Sequence, residues 1–182
     1  MFQIRPARPD EAAELYRGRH EVYVRELGAM PPRPDGQIRD GFDGRPHTLN
    51  LAVVAEDGTP RKRIVGGARW VVDGGTGTTA DAYFDFAPHL PSDALRGAGS
   101  MLWMLPEARG QRGLIGELMA EGLAWSIEQG VSHILATVNP PVASRFARVG
   151  YVPVGHPFVH TTGLPVQPMV LVTGAGQARE AA

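Results

Sequence analysis

The chain has no cysteine in 182 residues, and that absence removes several chemistries at once. Disulfides, thiolate-held metals and a cysteine nucleophile are all excluded. It fits a reducing compartment, and a cytoplasmic protein is the expectation. An excess of charge of one sign is also missing: 18 Lys and Arg stand against 19 Asp and Glu, a net charge of -1. Such a balance gives no reason to expect nucleic acid or an anionic membrane as the partner. No apolar run approaches the ~20 residues that cross a bilayer. The opening stretch, MFQIRPARPDEAAEL, lacks the apolar core of a secretory signal. The histidines show no metal-ligand spacing, so no metal is expected.

What is present is an ordinary globular composition, 43% hydrophobic, in a length that suits one α/β domain. We expect that domain to span 1–173, with 174–182 a disordered tail, in a monomer or homodimer. The 23 glycines and 16 prolines imply long loops between compact elements. FQIRPA (2–7) reads as a first strand. A helix follows Pro9, with Asp10 as its N-cap and Ala12, Leu15 and Tyr16 on one face. Gly18 interrupts it, and a second helical stretch runs from Arg19 to Leu27. Residues 28–47 are loop. LNLAVVAE (49–56) and RIVGGARWVV (63–72) form a strand pair turning at Asp57-Gly58. A long connection, 73–99, holds an aromatic knot, Tyr83-Phe84-Asp85-Phe86. MLWML (101–105) is a strand ended by Pro106. An amphipathic helix spans about 112–129 with Leu114, Ile115, Leu118, Met119, Leu123 and Ile127 at helical spacing, stopped by Gly130. SHILATV (132–138), a short helix 142–149, a strand around 151–155 and PMVLVT (168–173) complete the order β α α β β β α β α β β.

A strand followed at once by an Arg/Gly-rich turn and a helix is an anion-binding arrangement, because the first N–H groups of a helix lack internal partners. The turn here is Arg109-Gly110-Gln111-Arg112-Gly113, before Leu114. It suits the pyrophosphate of coenzyme A or the phosphate of a carrier-protein phosphopantetheine arm. An arginine-rich surface turn would read the same way. The P-loop and dinucleotide patterns are not matched.

The order of elements resembles the GNAT acyltransferase superfamily, with Arg109–Gly113 at the acyl-donor loop and 139–151 (NPPVASRFARVGY) at the later segment, where Asn139 falls. Many acetyltransferases carry a tyrosine four residues before the glycine that corresponds to Gly150; this chain has Phe146. Ahead of that core come Arg19-x-x-x-Tyr23 with Glu26-Leu27, Asp40-x-x-Asp43, Arg69 on the third strand, and Glu107 with Arg109 after the fourth. In order and spacing these resemble the acyl-homoserine-lactone (autoinducer) synthases and the related N-acyl amino acid synthases, over roughly 15–155, and Phe146 suits that branch. Two departures stand out: Gly28-Ala29-Met30 where the autoinducer synthases have tryptophan, and Glu107-Ala-Arg109 in place of Glu-x-x-Arg.

The resemblance implies a GNAT fold: one mixed, mostly antiparallel central sheet with helices on both faces. It implies an N-acyltransferase that takes an acyl group from acyl-coenzyme A or acyl carrier protein to the amine of a small acceptor, an amino acid or an S-adenosylmethionine-like molecule. Arg19, Tyr23, Asp40 and Asp43 would bind the acceptor. Glu107, Arg69 and Asp43 would serve catalysis, with Glu107 or a water it holds as the base. Trp103, Leu105, Arg109, Gly110, Gln111, Arg112, Gly113, Leu114, Asn139 and Phe146 would bind the donor. Plainer readings stand beside these. DGFDG is also a turn composition, Arg69 suits a water-facing strand position, Glu107 could cap a helix, aromatics such as Trp70 and Trp103 suit a core, and His47 suits a hydrogen-bonded loop. The alternatives in function are a short-chain acetyltransferase of a small amine and a donor-binding domain without catalysis.

Overall fold

The structure is a computed structural model, and it describes residues 1–56, 62–160, 163–174 and 176. Eight strands form the sheet: β1 (Phe2–Pro6), β2 (Thr48–Ala55), β3 (Arg63–Val72), β4 (Arg96–Met104), β5 (His133–Val138), β6 (Val152–Pro153), β7 (Phe158–Val159) and β8 (Pro165–Val172). Their order is β1-β2-β3-β4-β5-β8-β6, with β7 pairing β8 off this path. β4 and β5 run parallel over Arg96–Ala98 and His133–Leu135. The β1/β2, β5/β8, β6/β8 and β7/β8 pairs are antiparallel. This is the mixed, mostly antiparallel sheet that the resemblance implies. The expected turn at Asp57-Gly58 lies outside the described residues, as does most of the expected tail. Among the described residues no helix is long and apolar enough to cross a membrane.

The chain folds as two compact units, Met1–Trp70 with Ser100–Leu123, and Val71–Gly99 with Ala124–Ala182. In the first, Leu15, Val22, Ala52, Val54, Ile64 and Trp103 form a buried core, flanked by Ala7, Tyr16, Tyr23 and Leu105. The expected break at Gly18 is absent. A 3-10 turn (Pro9–Glu11) leads into α1 (Ala12–His20), which passes through Gly18 and continues as a π-helical segment, Glu21–Glu26. Gly18 serves packing instead: a Cβ there would lie 2.0 Å from Cη2 of Trp103. Asp10 does not cap the helix. Glu11 instead closes the capping box of the preceding 3-10 turn, accepting the Arg8 backbone N–H at 2.8 Å, and also binds both terminal nitrogens of Arg5.

α2 (Pro106–Arg109) is a single turn, and α3 (Leu114–Glu128) is the long helix. The apolar stripe expected on α3 is partly misplaced. Ile115 and Ile127 are exposed, and the buried line is Leu114, Leu118, Gly122 and Ser126, every fourth residue. Small residues hold two of those places because a large side chain occupies the space: a Cβ on Gly122 would meet Nε1 of Trp70 at 1.8 Å. The hydrophobicity pattern tracks bulk, whereas the packing surface there requires its absence.

In the second unit, Ala80, Phe86, Ala98, Leu135 and Val170 form the core, with Phe84, Leu90 and Val154 against it. β4 begins five residues earlier than expected, because Gly97 and Gly99 disguise a strand; at Gly97 the space is tight, since a Cβ there would lie 3.2 Å from Val131 and 3.3 Å from the Val71 carbonyl. The connection before it is ordered by Arg96, which binds Asp73 and Asp81. Asp73 accepts the N–H groups of Gly75 and Gly77 in turn. α4 (Pro140–Arg148) starts with two prolines, which tolerate the first helical turn because its N–H groups have no partner there. β7 was not foreseen, and β8 begins at Pro165 instead of Pro168.

Candidate functional site

The first unit brings together four of the residues singled out from sequence. Arg19 on α1 and Arg69 on β3 each have a side chain 1% exposed. Arg19 donates from Nη1 to Asp43 at 2.8 Å and from Nη2 to Asn50 at 2.7 Å. Arg69 grips Asp40 with two parallel hydrogen bonds, 2.6 and 2.9 Å, reaches Asp43 at 3.1 Å, and donates from Nε to the Ser100 hydroxyl. The Asp-x-x-Asp turn is tied internally as well: the Asp40 N–H donates to Asp43, and the Phe42 N–H to Asp40. Two arginines and two aspartates therefore cancel in charge inside one buried network. Stripping water from each ion costs several kcal/mol, and a hydrophobic set of similar volume would fold about as well. Such a network is costly as mere scaffolding.

The network is not closed. The Asp43 side chain is 4% exposed, whereas that of Asp40 is 39% exposed. Burial pushes the Asp40 carboxyl up, but the Arg69 hydrogen bonds and charge outweigh this and hold it below its ordinary value. Asp40 is thus an ionised, partly open carboxylate anchored from behind, suited to receive a cationic amine. Arg19 is opposite in kind: burial lowers its pKa, its Asp43 partner resists, and its buried Nε has no partner among the described residues. Phe42 lies between the aspartates with the Arg45 guanidinium 3.9 Å from its ring centre. His47 is exposed.

The other candidates gather at the end of β4. Met101 there has φ 51°, a left-handed backbone that a non-glycine residue adopts only under strain. Tyr23 does not open into the Arg/Asp network by its hydroxyl; that group donates to the Leu102 carbonyl at 2.5 Å. Its burial pushes the phenol up to about 12, so it stays a donor at neutral pH. Trp103 is 2% exposed and belongs to the core, next to partly buried Leu105. Glu107 is the second residue of α2 and pairs with Arg63; bonding at its own backbone N–H, then the Arg63 partner, hold its pKa below the ordinary value. Glu107 contacts Arg63, not the Arg19/Arg69 network.

Arg109 is the last residue of α2, not part of the open turn. Its guanidinium binds Glu26 and donates to the Met104 carbonyl at 2.9 Å from Nε and 2.8 Å from Nη2. Gly110, Gln111, Arg112 and Gly113 are exposed, Gly113 has φ 89°, and Leu114 is buried as the first residue of α3. Arg112 makes no ion pair among the described residues. In the second unit, Asn139 precedes α4 and Phe146 stacks edge-on against Tyr151, 5.1 Å between ring centres. Sequence reasoning missed Asn50, Ser100 and Arg63, and it quoted Glu26 without a partner or role. Asn50, Ser100 and Glu26 are partners of arginines that it did single out, Arg63 is the partner of Glu107, and nothing in their spacing marks these pairings.

The FeeM family, described as the N-acyl amino acid synthase FeeM, matches residues 14–173 of this chain. Among solved structures, the N-acyl amino acid synthase FeeM from uncultured soil microbes superposes with a TM-score of 0.75 at 14% identity, covering 94% of this chain and 92% of that one. The coenzyme-A-dependent acyl-homoserine lactone synthase BjaI, solved with S-adenosylmethionine and isopentyl-coenzyme A, gives 0.67 at 22% identity over 100% of this chain and 88% of its own. An acyl-coenzyme A N-acyltransferase from Pseudomonas aeruginosa gives 0.66 at 18% identity, covering 94% and 99%. These likenesses establish the GNAT-type fold. No curated protein matches the chain. The family match extends over the Arg/Asp network, the β4 end and the Arg/Gly turn alike, and the chain belongs to the N-acyl amino acid synthase FeeM family of acyltransferases.

Proposed function

We propose that the chain transfers an acyl group from a thioester of coenzyme A or of acyl carrier protein to the amine of a small acceptor, an amino acid or an S-adenosylmethionine-like molecule. The observation that carries this reading is the half-open Asp40 carboxylate backed by buried Arg69. An ammonium group is held there by charge, and it must lose a proton before its nitrogen can attack. The neutral nitrogen adds to the thioester carbonyl carbon, the C–S bond breaks as the C–N bond forms, and the thiolate leaves to be protonated. One amide and one thiol result. Glu107, directly or through a water, is the proton acceptor in this reading. It is ionised at neutral pH, and its lowered basicity sets a modest driving force. Arg69 and Asp43 hold Asp40 in place, and Arg19 with Tyr23 completes the acceptor wall.

The donor lies along the end of β4 beside Trp103 and Leu105. Its phosphates meet the turn 109–113 and the first N–H groups of α3 at Leu114, with Arg112 supplying unpaired positive charge. The reading takes the chain as one GNAT-type domain over 1–173, working in the cytoplasm as a monomer or homodimer. The test is a steady-state comparison of Asp40→Asn and wild type. The acceptor KM should rise by about ten-fold or more, as loss of a charged hydrogen bond implies, while the donor KM stays within two-fold. An unchanged acceptor KM would remove Asp40 from the acceptor site.

A further inference from the structure

The end of β4 is occupied on both edges. The Trp103 carbonyl lies toward β3, so close that a Cβ on Gly66 would sit 3.0 Å from it, and the Leu105 N–H donates to Val65 on β3 at 2.7 Å. Alternate residues of a strand point their backbone groups to opposite edges. The carbonyls of Leu102 and Met104 therefore face away from β3. Both are taken by side chains. Tyr23 caps Leu102, and Arg109 caps Met104 from two nitrogens. Tyr23 and Glu26 stand three residues apart on the π-helical segment, and Glu26 chelates Arg109 through both oxygens. A π turn is rare and recurs at functional sites.

The two caps differ in kind. Tyr23 is packed against the core. The Glu26 and Arg109 side chains are 37% and 39% exposed, so water competes for that pair and it opens at little cost. A thioester of coenzyme A or carrier protein reaches its reacting carbon through an extended arm that carries amides. An amide N–H pairs with an exposed strand carbonyl just as a neighbouring strand would. We propose that Glu26 is a latch residue: it holds Arg109 on the Met104 carbonyl, and the donor's arm binds this edge of β4 by displacing Arg109. Glu26 then controls when Arg109 is released to face the donor's phosphate. It touches neither substrate nor the reacting atoms, so it is a positioning residue. The inference rests on the donor assignment made above.

The test uses the full chain with coenzyme A, and separately phosphopantetheine, as probes in isothermal titration calorimetry. Glu26→Gln should tighten coenzyme A binding by roughly two- to five-fold, because an exposed competing ion pair is lost. Turnover at saturating donor should be unchanged, so the effect sits in the donor KM. Hydrogen exchange without ligand should rise at 21–26 and 102–105 in the variant, which reports the latch itself. Glu26→Asp, with a shorter reach, should fall between the two. Weaker or unchanged coenzyme A affinity in Glu26→Gln, with exchange raised, overturns the latch and leaves the donor assignment standing. No binding of either probe to wild type or variant removes the donor assignment, and the latch with it.

Discussion

Asp43 is the hinge of the buried network, and removing it has a calculable cost. It accepts from Arg19 at 2.8 Å, from Arg69 at 3.1 Å and from the Asp40 N–H at 3.0 Å. In Asp43→Ala, Arg69 keeps Asp40, but Arg19 is left with Asn50, a long bond to the Ile38 carbonyl and no carboxylate. Breaking a buried pair by deleting one partner costs about 3–5 kcal/mol, a large share of a domain's typical ~5–15 kcal/mol. Asp43→Asn keeps the shape and one acceptor oxygen, so about 2 kcal/mol is expected. Urea unfolding followed by tryptophan fluorescence would measure both, since Trp70 and Trp103 are 1% and 2% exposed and will report the transition. The double variant Arg19→Met, Asp43→Leu removes both charges and should recover most of the stability. It should not recover acyl transfer. A loss below about 1 kcal/mol in Asp43→Ala would refute the reasoning, because the network would then be cheap to break. A double variant that is both stable and active would show the network to be structural filling.

Three further outcomes are expected. Gly18→Ala gains about 1 kcal/mol of helix propensity but forces a methyl into Trp103 at 2.0 Å; overpacking of ~1–3 kcal/mol wins, and the variant should melt below wild type. The Glu11 carboxyl is drawn from its ordinary 4.5 to about 2, mainly by its hydrogen bond to Arg5. A depressed carboxylate contributes stability fully above its unfolded pKa and loses it as pH falls through the folded one. Stability of wild type should therefore fall from about pH 4.5 toward 2 more steeply than that of Glu11→Gln, by ~1 kcal/mol after allowance for solvent screening. Glu107→Gln should lower kcat by ~100-fold if the carboxylate takes the amine's proton, with donor KM unchanged; a rate within three-fold of wild type assigns that proton elsewhere.

The network was legible through the resemblance: spacing alone leaves DGFDG as a turn composition and Arg69 as a water-facing strand residue, and the family's order of Arg19, Asp40, Asp43 and Arg69 is what singles them out. Asn50 and Ser100 were not legible, since each acts by one hydrogen bond that only the folded register creates. Arg109 was singled out, but its pairing with Glu26 was not. Its neighbours Gly110 and Gly113 suggest an open anion loop, yet its guanidinium is spent on Glu26, 83 residues away in sequence. Local composition signals a loop's backbone freedom and says nothing of a distant carboxylate. Glycine misled at Gly18 for a related reason. It reads there as a helix breaker, whereas Gly18, like Gly122, marks a place where an indole from another element fills the missing side chain's space. The mixed, mostly antiparallel sheet was foreseen through the resemblance to the GNAT fold, while β7 and the early start of β4 depend on pairing partners.

The most direct test is to follow free thiol and amide product together, with acyl-coenzyme A donors from acetyl to long-chain and an amine panel that includes amino acids and S-adenosylmethionine. The chain has no cysteine, so every thiol a reagent detects comes from the donor. Amine-dependent thiol release, matched one for one by an N-acylated acceptor in the mass spectrum, is the predicted result. Thiol release that proceeds at the same rate without amine, or no release with any donor and acceptor, would contradict it.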